Sequence, residues 1–313
     1  MIGYLRLVRL PNVFTAFADI LAGYAIMHAL YPESDPGFKP LLLLCGASAS
    51  LYLAGMAFND IADRDEDAEV RPNRPIPSGQ VSLNGALACA LLLMALGVGL
   101  SYGVSAWSLK LSIMLSAAIL QYDFNSKRSV KTGAFMGPLV LGICRFLNMH
   151  LGLSVNPAYG TIFETSSFMN VPWAPAFAMG IYAAGLTAFS TQEEEVKKNS
   201  AILIGWVLCF AGILIAALSS SRLAWITLSP LALLLLFLTR RLRTLGTPNA
   251  ARDLVRAGVM GICVLDAGMI LGFASSTEAY SKAFSDLWPW AAGCVGLLIP
   301  GLLLGKLLRQ KEA

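Results

Sequence analysis

The sequence predicts an all-α protein, a polytopic bundle of nine to ten membrane-crossing helices in a single domain, residues 1–313. Three observations carry this. The composition is 56% hydrophobic and 13% charged, and mean hydropathy is +0.65, too apolar for a water-soluble globule of this length. Apolar segments long enough to cross roughly 30 Å of hydrocarbon as helices recur along the whole chain rather than once near the start. Lys and Arg divide between alternate connections. With the N-terminus inside, eighteen fall on the cytoplasmic side, against Lys39, Lys110, Arg222 and Lys282 outside and Arg145 within a span. That asymmetry orients the bundle, because cytoplasmic loops near spans are enriched in these residues. The net charge of +4 follows from orientation and requires no nucleic acid.

The spans follow in order. The first is Asn12 to Leu30. The second, Pro40 to Phe58, runs into the charged stretch AFNDIADRDEDAEVRPNRPIPSG. The third and fourth, Leu83 to Val104 and Leu109 to Tyr122, are uniformly apolar until the basic exit YDFNSKR. The fifth, Phe135 to Leu153, carries Arg145 and Asn148 one helical turn apart. The sixth, Ala174 to Ser190, runs into TQEEEVKK, and the seventh, Ala201 to Leu218, is featureless. The eighth, Leu223 to Leu238, exits into TRRLR. The ninth, Gly258 to Phe273, holds Asp266, and Trp288 to Leu304 is the tenth. Acidic and basic exits alternate with a four-span recurrence, which suggests a pseudo-repeat around one cytoplasmic mouth. The outer connection from Ser154 to Pro172 reads as a lid or a plain loop. All six Cys fall inside spans without CxxC or Cys/His spacing, and read as small apolar packing residues. His28 and His150 lie toward outer span ends and suggest no metal site.

The stretch from Ala57 to Gly79 concentrates four Asp, two Glu and three Arg. Asp60, Asp63 and Asp67 are spaced i, i+3, i+7, so a helix continuing beyond the membrane would present them on one face. Such a row suits a hard divalent cation, Mg²⁺ above all, which binds carboxylate oxygens together with substrate phosphates. Asn59 adds a neutral acceptor. Pro72, Pro75 and Pro77 stop the helix and would turn Arg71 and Arg74 back toward the acids, completing a set suited to a diphosphate. A solvated acidic loop is the other reading of the same charge run. A helix–loop–helix calcium site is disfavoured, since the alternating ligands, central Gly and terminal Glu are missing.

Polar groups inside hydrocarbon are costly and point to function or to mutual pairing. Asn12 and Asp19 lie on the first span, Arg145 and Asn148 on the fifth. Arg145 with Asp19 reads as a buried pair or as part of a polar cavity; Asn12, near the cytoplasmic end, favours the cavity. Asp266 stands outside the recurrence and reads as structural. Tyr122 and Lys127 close the fourth span, suited to grip a phosphate or simply to anchor the interface.

These residues resemble the UbiA superfamily of intramembrane prenyltransferases. NDIADRDED followed by RPNRPIPSG is similar to its first signature, RLPNVFTAFADILAG to its first span, and YDFNSKR to its Tyr/Lys motif, over roughly the first 200 residues. The resemblance implies Mg²⁺ on Asp60, Asp63 and Asp67, and a polyprenyl diphosphate donor contacted by Asn59, Arg71, Arg74 and Lys127. Asn12 and Tyr122 would line the same mouth. It further implies isoprenyl transfer to an aromatic or other small hydrophobic acceptor, within a lipid bilayer such as a bacterial inner membrane. Family members place two Asp residues at the end of the sixth span; here Ser190 and Glu194 occupy those positions, with Glu193 and Glu195 alongside. Glu194 would be the remaining metal ligand there. This altered second signature is similar to the divergent EboC-type branch, found with a bacterial gene cluster linked to metabolite export. It opens a second reading, a non-catalytic lipid-binding or export component of the same fold. The pattern of a CDP-alcohol phosphotransferase is absent.

Overall fold

The computed structural model describes residues 2–34, 36–126, 133–165, 173–191, 199–220, 222–274 and 280–309. The helices are α1 Ile2–Leu7, α2 Phe14–Leu30, α3 Phe38–Ala62, α4 Arg64–Val70, α5 Leu83–Tyr102, α6 Ala106–Gln121 and α7 Gly133–Leu153. They continue as α8 Tyr159–Thr165, α9 Trp173–Ser190, α10 Asn199–Leu218, α11 Arg222–Leu245, α12 Pro248–Ala274, α13 Tyr280–Gly296 and α14 Leu298–Arg309. Among the described residues no strand occurs, as expected where lipid offers no partner for an open sheet edge. Eight helical segments there are long and apolar enough to cross a membrane; α6 and α9, of 16 and 18 residues, cover the two remaining expected spans. The tenth span is interrupted at Leu297, between α13 and α14. Pro300 lies in the first turn of α14, where its missing N–H goes unneeded and where a continuous helix would lose a backbone bond, which favours the break just before it.

Helices α2, α7, α9 and α12 form the inner group: α2 packs on α7, α12 and α3, and α7 on α9. Most of α5 and the outer sides of α10 and α11 leave Leu91, Leu92, Leu203, Ile204, Leu233 and Phe237 exposed. In a membrane-spanning bundle these are lipid-facing surfaces.

Because lipid tails are as apolar as leucine, helices associate there through close packing and internal hydrogen bonds, which favours small residues at crossings. At the α2/α7 crossing, a Cβ on Gly23 would lie 2.5 Å from the Gly152 carbonyl carbon, and one on Gly152 would lie 2.8 Å from the Asp19 carbonyl oxygen. Backbone meets backbone there. The same crossing holds the buried polar network. Arg145 Nη1 donates to Asp19 Oδ2 at 2.8 Å and to the Thr15 carbonyl at 3.2 Å, and Nη2 donates to Thr15 Oγ1 at 2.6 Å. Asn148 Nδ2 donates to Asp19 Oδ2 at 2.8 Å, and Ser48 Oγ to Asn148 Oδ1 at 2.7 Å, tying in α3.

The outer connection after α7 is pinned down where it is described. Tyr159 hydroxyl lies 2.8 Å from His150 Nδ1, Asn156 Nδ2 donates to the Ser34 carbonyl at 3.0 Å, and Ser154 Oγ lies 2.9 Å from Ser108 Oγ. His150 thus serves packing at the C-terminal end of α7. The cysteines carry no disulfide; Cys209 and Cys294 are buried, their thiols facing the Tyr182 and Ala18 carbonyls.

Substituting Gly152→Val should force α2 and α7 apart and lower stability by about 1–3 kcal/mol. Thermal unfolding of the purified protein in detergent should show this as a clear drop in midpoint. Gly99→Ala, at a position with no heavy atom within 4 Å of an added Cβ, should leave the midpoint nearly unchanged.

Candidate functional site

Helix α3 does not continue through the acidic run. It ends at Ala62; Asp63, at φ −89° and ψ 1°, forms the joint, and α4 starts at Arg64. Asp is a poor helix-interior residue, and restarting the helix gives Asp65, Glu66 and Asp67 a first turn, where the helix dipole favours acids. The expected single row of three carboxylates is therefore corrected. Asp60 and Asp67 are buried and converge, whereas Asp63 is half-buried at the joint and Asp65 and Glu66 are exposed.

The proline-rich turn brings the arginines back. The Ser78 and Val81 amides donate to the Arg74 and Pro75 carbonyls, and Gly79, at φ 74°, takes the left-handed conformation that completes the turn. Arg74 Nη1 then reaches Asp60 Oδ1 at 2.6 Å and Asp67 Oδ2 at 3.4 Å, and Arg71 Nη1 reaches Asp67 Oδ1 at 3.2 Å.

A third arginine, counted in the sequence only as a cytoplasmic charge, joins them. Arg9 Nη2 donates to Asp60 Oδ1 at 2.9 Å and to Asn59 Oδ1 at 3.3 Å. Its backbone sits at φ 47°, ψ 48°, and among the described residues it is the one non-glycine with positive φ. For an L-residue this costs about 1–2 kcal/mol, and the bonds to Asn59 and Asp60 hold it there.

Beneath this cluster lies a cavity of about 300 Å³ bounded by α2, α3, α6, α7, α9 and α12. Arg9, Asn12, Asn59, Tyr122 and Asp123 line its mouth; Leu51, Leu115, Ile119, Leu186 and Ile262 supply apolar wall; Ser48, Arg145 and Asn148 lie at its inner end. Ser190 also lines it, its Oγ donating to the Thr187 carbonyl at 2.8 Å. The ends of α3 and α9, which the four-span recurrence pairs, thus meet at one mouth through Asn59 and Ser190. Tyr122 opens a π-helical turn, Tyr122–Ser126, that carries Asp123 into the cavity wall.

Of the sequence candidates, Asn12, Asn59, Tyr122, Arg145, Asn148 and Ser190 line the cavity, and Asp60, Asp63, Asp67, Arg71 and Arg74 form the cluster against its mouth. Lys127 and Glu194 lie outside the described residues. Arg9, Tyr52 and Asp123 also line the cavity and were not counted as site residues in the sequence: Asp123 stood among charges assigned to the interface, and Tyr52 was one more aromatic in a span. RLPN was the available signal for Arg9, since a cation just before a span's first turn must sit at the mouth.

Among the described residues, no three His, Cys, Asp or Glu side chains are grouped to hold a metal ion. The guanidinium groups occupy the carboxylates instead. The donor set nevertheless fits a hard cation. Its oxygens are carboxylates, and Asp67 Oδ2 is buried with no hydrogen bond, facing the Arg74 guanidinium at 3.4 Å, an acceptor with capacity left for a ligand. Burial pushes the Asp67 carboxyl above the usual carboxylate range, against the pull of Arg74 and Arg71. Burial also lowers the Arg74 guanidinium, as does repulsion by Arg9, outweighing Asp60 and Asp67.

The sequence pattern of the UbiA prenyltransferase family matches residues 20–195. The chain belongs to the UbiA prenyltransferase family. It is 30% identical over 150 residues to the digeranylgeranylglyceryl phosphate synthase of Saccharolobus solfataricus, covering 48% of this chain and 50% of that one. It is 32% identical over 138 residues to the 4-hydroxybenzoate octaprenyltransferase of Paraburkholderia xenovorans, covering 43% and 47%. The matched region thus spans about half the length of these curated relatives. Two solved structures share the fold over most of this UbiA family member. A UbiA homologue from Archaeoglobus fulgidus bound to GPP and Mg²⁺ superposes with a TM-score of 0.62 at 18% identity, covering 91% of this chain and 99% of that one. A UbiA homologue from Aeropyrum pernix, in its apo form, gives 0.63 at 20% identity, covering 82% and 97%.

Since the folded-state Asp67 carboxyl takes its proton more readily than an unfolded one, it adds stability below the ordinary carboxylate range that is lost as pH rises through its raised value. The stability of the native protein relative to Asp67→Asn should therefore increase as pH falls from neutral toward that range, then level off. Unfolding midpoints of the two proteins measured across this interval check it.

Proposed function

We propose that this protein transfers an isoprenyl group from a polyprenyl diphosphate to a hydrophobic or aromatic acceptor inside the membrane, with Mg²⁺ as cofactor. The observation that carries this reading is the convergence of two carboxylates, Asp60 and Asp67, and three guanidinium groups on the mouth of an apolar cavity, with Asn59 linking cluster and cavity. A diphosphate on an apolar tail matches that division: charged end to the cluster, tail along the apolar wall.

In this reading Asp60, Asp63 and Asp67 hold the metal, with Glu194 as a further candidate. Bound there, Mg²⁺ supplies Lewis-acid stabilisation of the negative charge on the departing diphosphate. Arg9, Arg71 and Arg74 exchange their carboxylate partners for phosphate oxygens, a matched exchange since guanidinium binds both anions through the same planar set of N–H groups. Asn59, Asn12 and Tyr122 orient the diphosphate from the cavity side, with Lys127 as a further point charge. Charge developing on the leaving diphosphate meets donors already in position, which is where such sites gain most of their rate. The apolar wall keeps water from the allylic carbon while the acceptor attacks it. The cluster and the N-terminus face the cytoplasm in this reading, consistent with the distribution of Lys and Arg; a bacterial inner membrane is the proposed location.

Ser190 favours the second reading. It puts a hydroxyl at the cavity mouth where the resemblance leads one to expect a carboxylate, and a site with one acidic signature suits a non-catalytic lipid-binding or export component. The two readings separate cleanly. Purified protein given geranyl diphosphate and Mg²⁺ should release diphosphate, and should not do so when the metal is chelated. Asp63→Ala should lower the release by about a hundredfold or more. Donor binding that survives Asp63→Ala, with no product from any acceptor, would establish the non-catalytic reading instead.

A further inference from the structure

The inner end of the cavity is polar, but it carries no positive charge to spare. Among the described residues, Arg9 and Arg145 are the cations that line the cavity. Arg9, at the mouth, is engaged by Asp60 and Asn59. Arg145, at the inner end, is engaged by Asp19 at 2.8 Å and by Thr15. Behind Asp19 stands Asp266 of α12, fully buried, its carboxyl next to that of Asp19. No donor serves Asp19 Oδ1 or either oxygen of Asp266 among the described residues. Two carboxyl groups therefore face one guanidinium. If Asp266 holds a proton the cluster is neutral, and if it does not the cluster is negative; neither state offers a countercharge to a ligand. Asp123 adds a further carboxylate to the wall.

The hydrogen-bonding capacity differs from the charge. Three hydrogen bonds engage Arg145 Nη1 and Nη2, whereas a guanidinium has five N–H groups. Donors thus remain for a neutral oxygen, but an ionised carboxylate or phosphate brought here would lie uncompensated in low dielectric, next to Asp19. Burying such a charge is far more costly than burying a hydrogen-bonded neutral group.

We propose that the acceptor presents an uncharged polar group, a hydroxyl or carbonyl oxygen, to Arg145 at the inner end of the cavity, and that acceptors bearing a carboxylate or phosphate there are rejected. This rests on reading the cavity as the transfer site, and it names the acceptor class. Asp19 is then a specificity-determining residue: it cancels the one cation that would otherwise recruit an anion.

The test is equilibrium binding, without donor, of 4-hydroxybenzyl alcohol and 4-hydroxybenzoate to the purified full chain in lipid nanodiscs. The two probes share a ring and differ in the charge of one substituent. The alcohol should bind at least about tenfold more tightly. Asp19→Asn combined with Asp266→Asn, which strips Arg145 of both carboxyls, should reverse the preference, while Asp266→Asn alone, which keeps the Arg145–Asp19 pair, should retain it. 4-Hydroxybenzoate bound as tightly as the alcohol by the unaltered chain overturns the proposal, as does binding of neither probe; both hold even if the double variant fails to fold. Since no donor is present, these outcomes are independent of turnover. Alcohol bound without diphosphate release on adding geranyl diphosphate and Mg²⁺ counts against the transfer reading alone.

Discussion

Inside the bundle the guanidinium of Arg145 meets the carboxylate of Asp19 at 2.8 Å, and the positions of α2, α3, α7 and α12 depend on that contact. A single charge in hydrocarbon must find an opposite one, together with hydrogen bonds for its remaining groups. Here Arg145 comes from α7 and Asp19 from α2, Asn148 and Ser48 complete the network, and Asp266 adds α12. Only one rotation of each helix lets all of them meet. The Gly23/Gly152 crossing is what permits the approach, because any side chain at either position would hold the two backbones apart. The polar network and the small residues are thus two halves of one constraint: the first selects the register of the helices, the second sets their separation. The cavity is the space that remains beside this crossing, which is why its inner end is polar while its walls are not.

At the cavity mouth the same rule works with looser geometry. Asp60 and Asp67 are buried, and Arg9, Arg71 and Arg74 neutralise them at distances of 2.6 to 3.4 Å. These arginines are partly exposed, so water can replace a lost partner at modest cost. Arg145, by contrast, is held by a fully buried acid. The mouth is consequently a place where ion pairs can be exchanged, and the interior one where they cannot. A ligand that offers both cations and anions, as a metal diphosphate does, can insert into the first network without leaving any member unpaired.

The helical class and span order were legible in the sequence because hydrophobic length and the Lys/Arg asymmetry report directly on the solvent each segment meets. Asp60, Asp67 and the folded-back Arg71 and Arg74 were legible because helix spacing and proline together constrain where a short segment goes. The break at Asp63 was not, since spacing describes an uninterrupted helix and says nothing of a joint where local charge disfavours one. Arg9 was hidden for a different reason. Its partners, Asn59 and Asp60, lie about fifty positions away in the chain, and no local pattern encodes a contact of that range. Arg145 with Asp19 was an exception among long-range contacts: within an apolar span each is so costly alone that the other becomes its expected partner. Asp266 was read as structural from a span outside the four-span recurrence; its partner was not legible, since only the packing of α12 on α2 delivers it to the same cluster.

Ser190 bears on the balance of charge at the rim rather than on the architecture. With Ser190 at the end of α9, that described part of the rim offers a hydroxyl, already donating to the Thr187 carbonyl, opposite the acid-rich end of α3. A carboxylate there would draw arginines toward α9 and divide the cluster between the two halves of the bundle. In its absence Arg9, Arg71 and Arg74 all gather on the α3–α4 side, around Asp60 and Asp67. The lopsided arrangement leaves Asp67 Oδ2 buried with no hydrogen bond and only the Arg74 guanidinium at 3.4 Å, and holds Arg9 in a left-handed backbone conformation. Both costs sit at the cavity mouth, and both would be relieved by a ligand whose anion takes over the arginines while its cation takes the carboxylates.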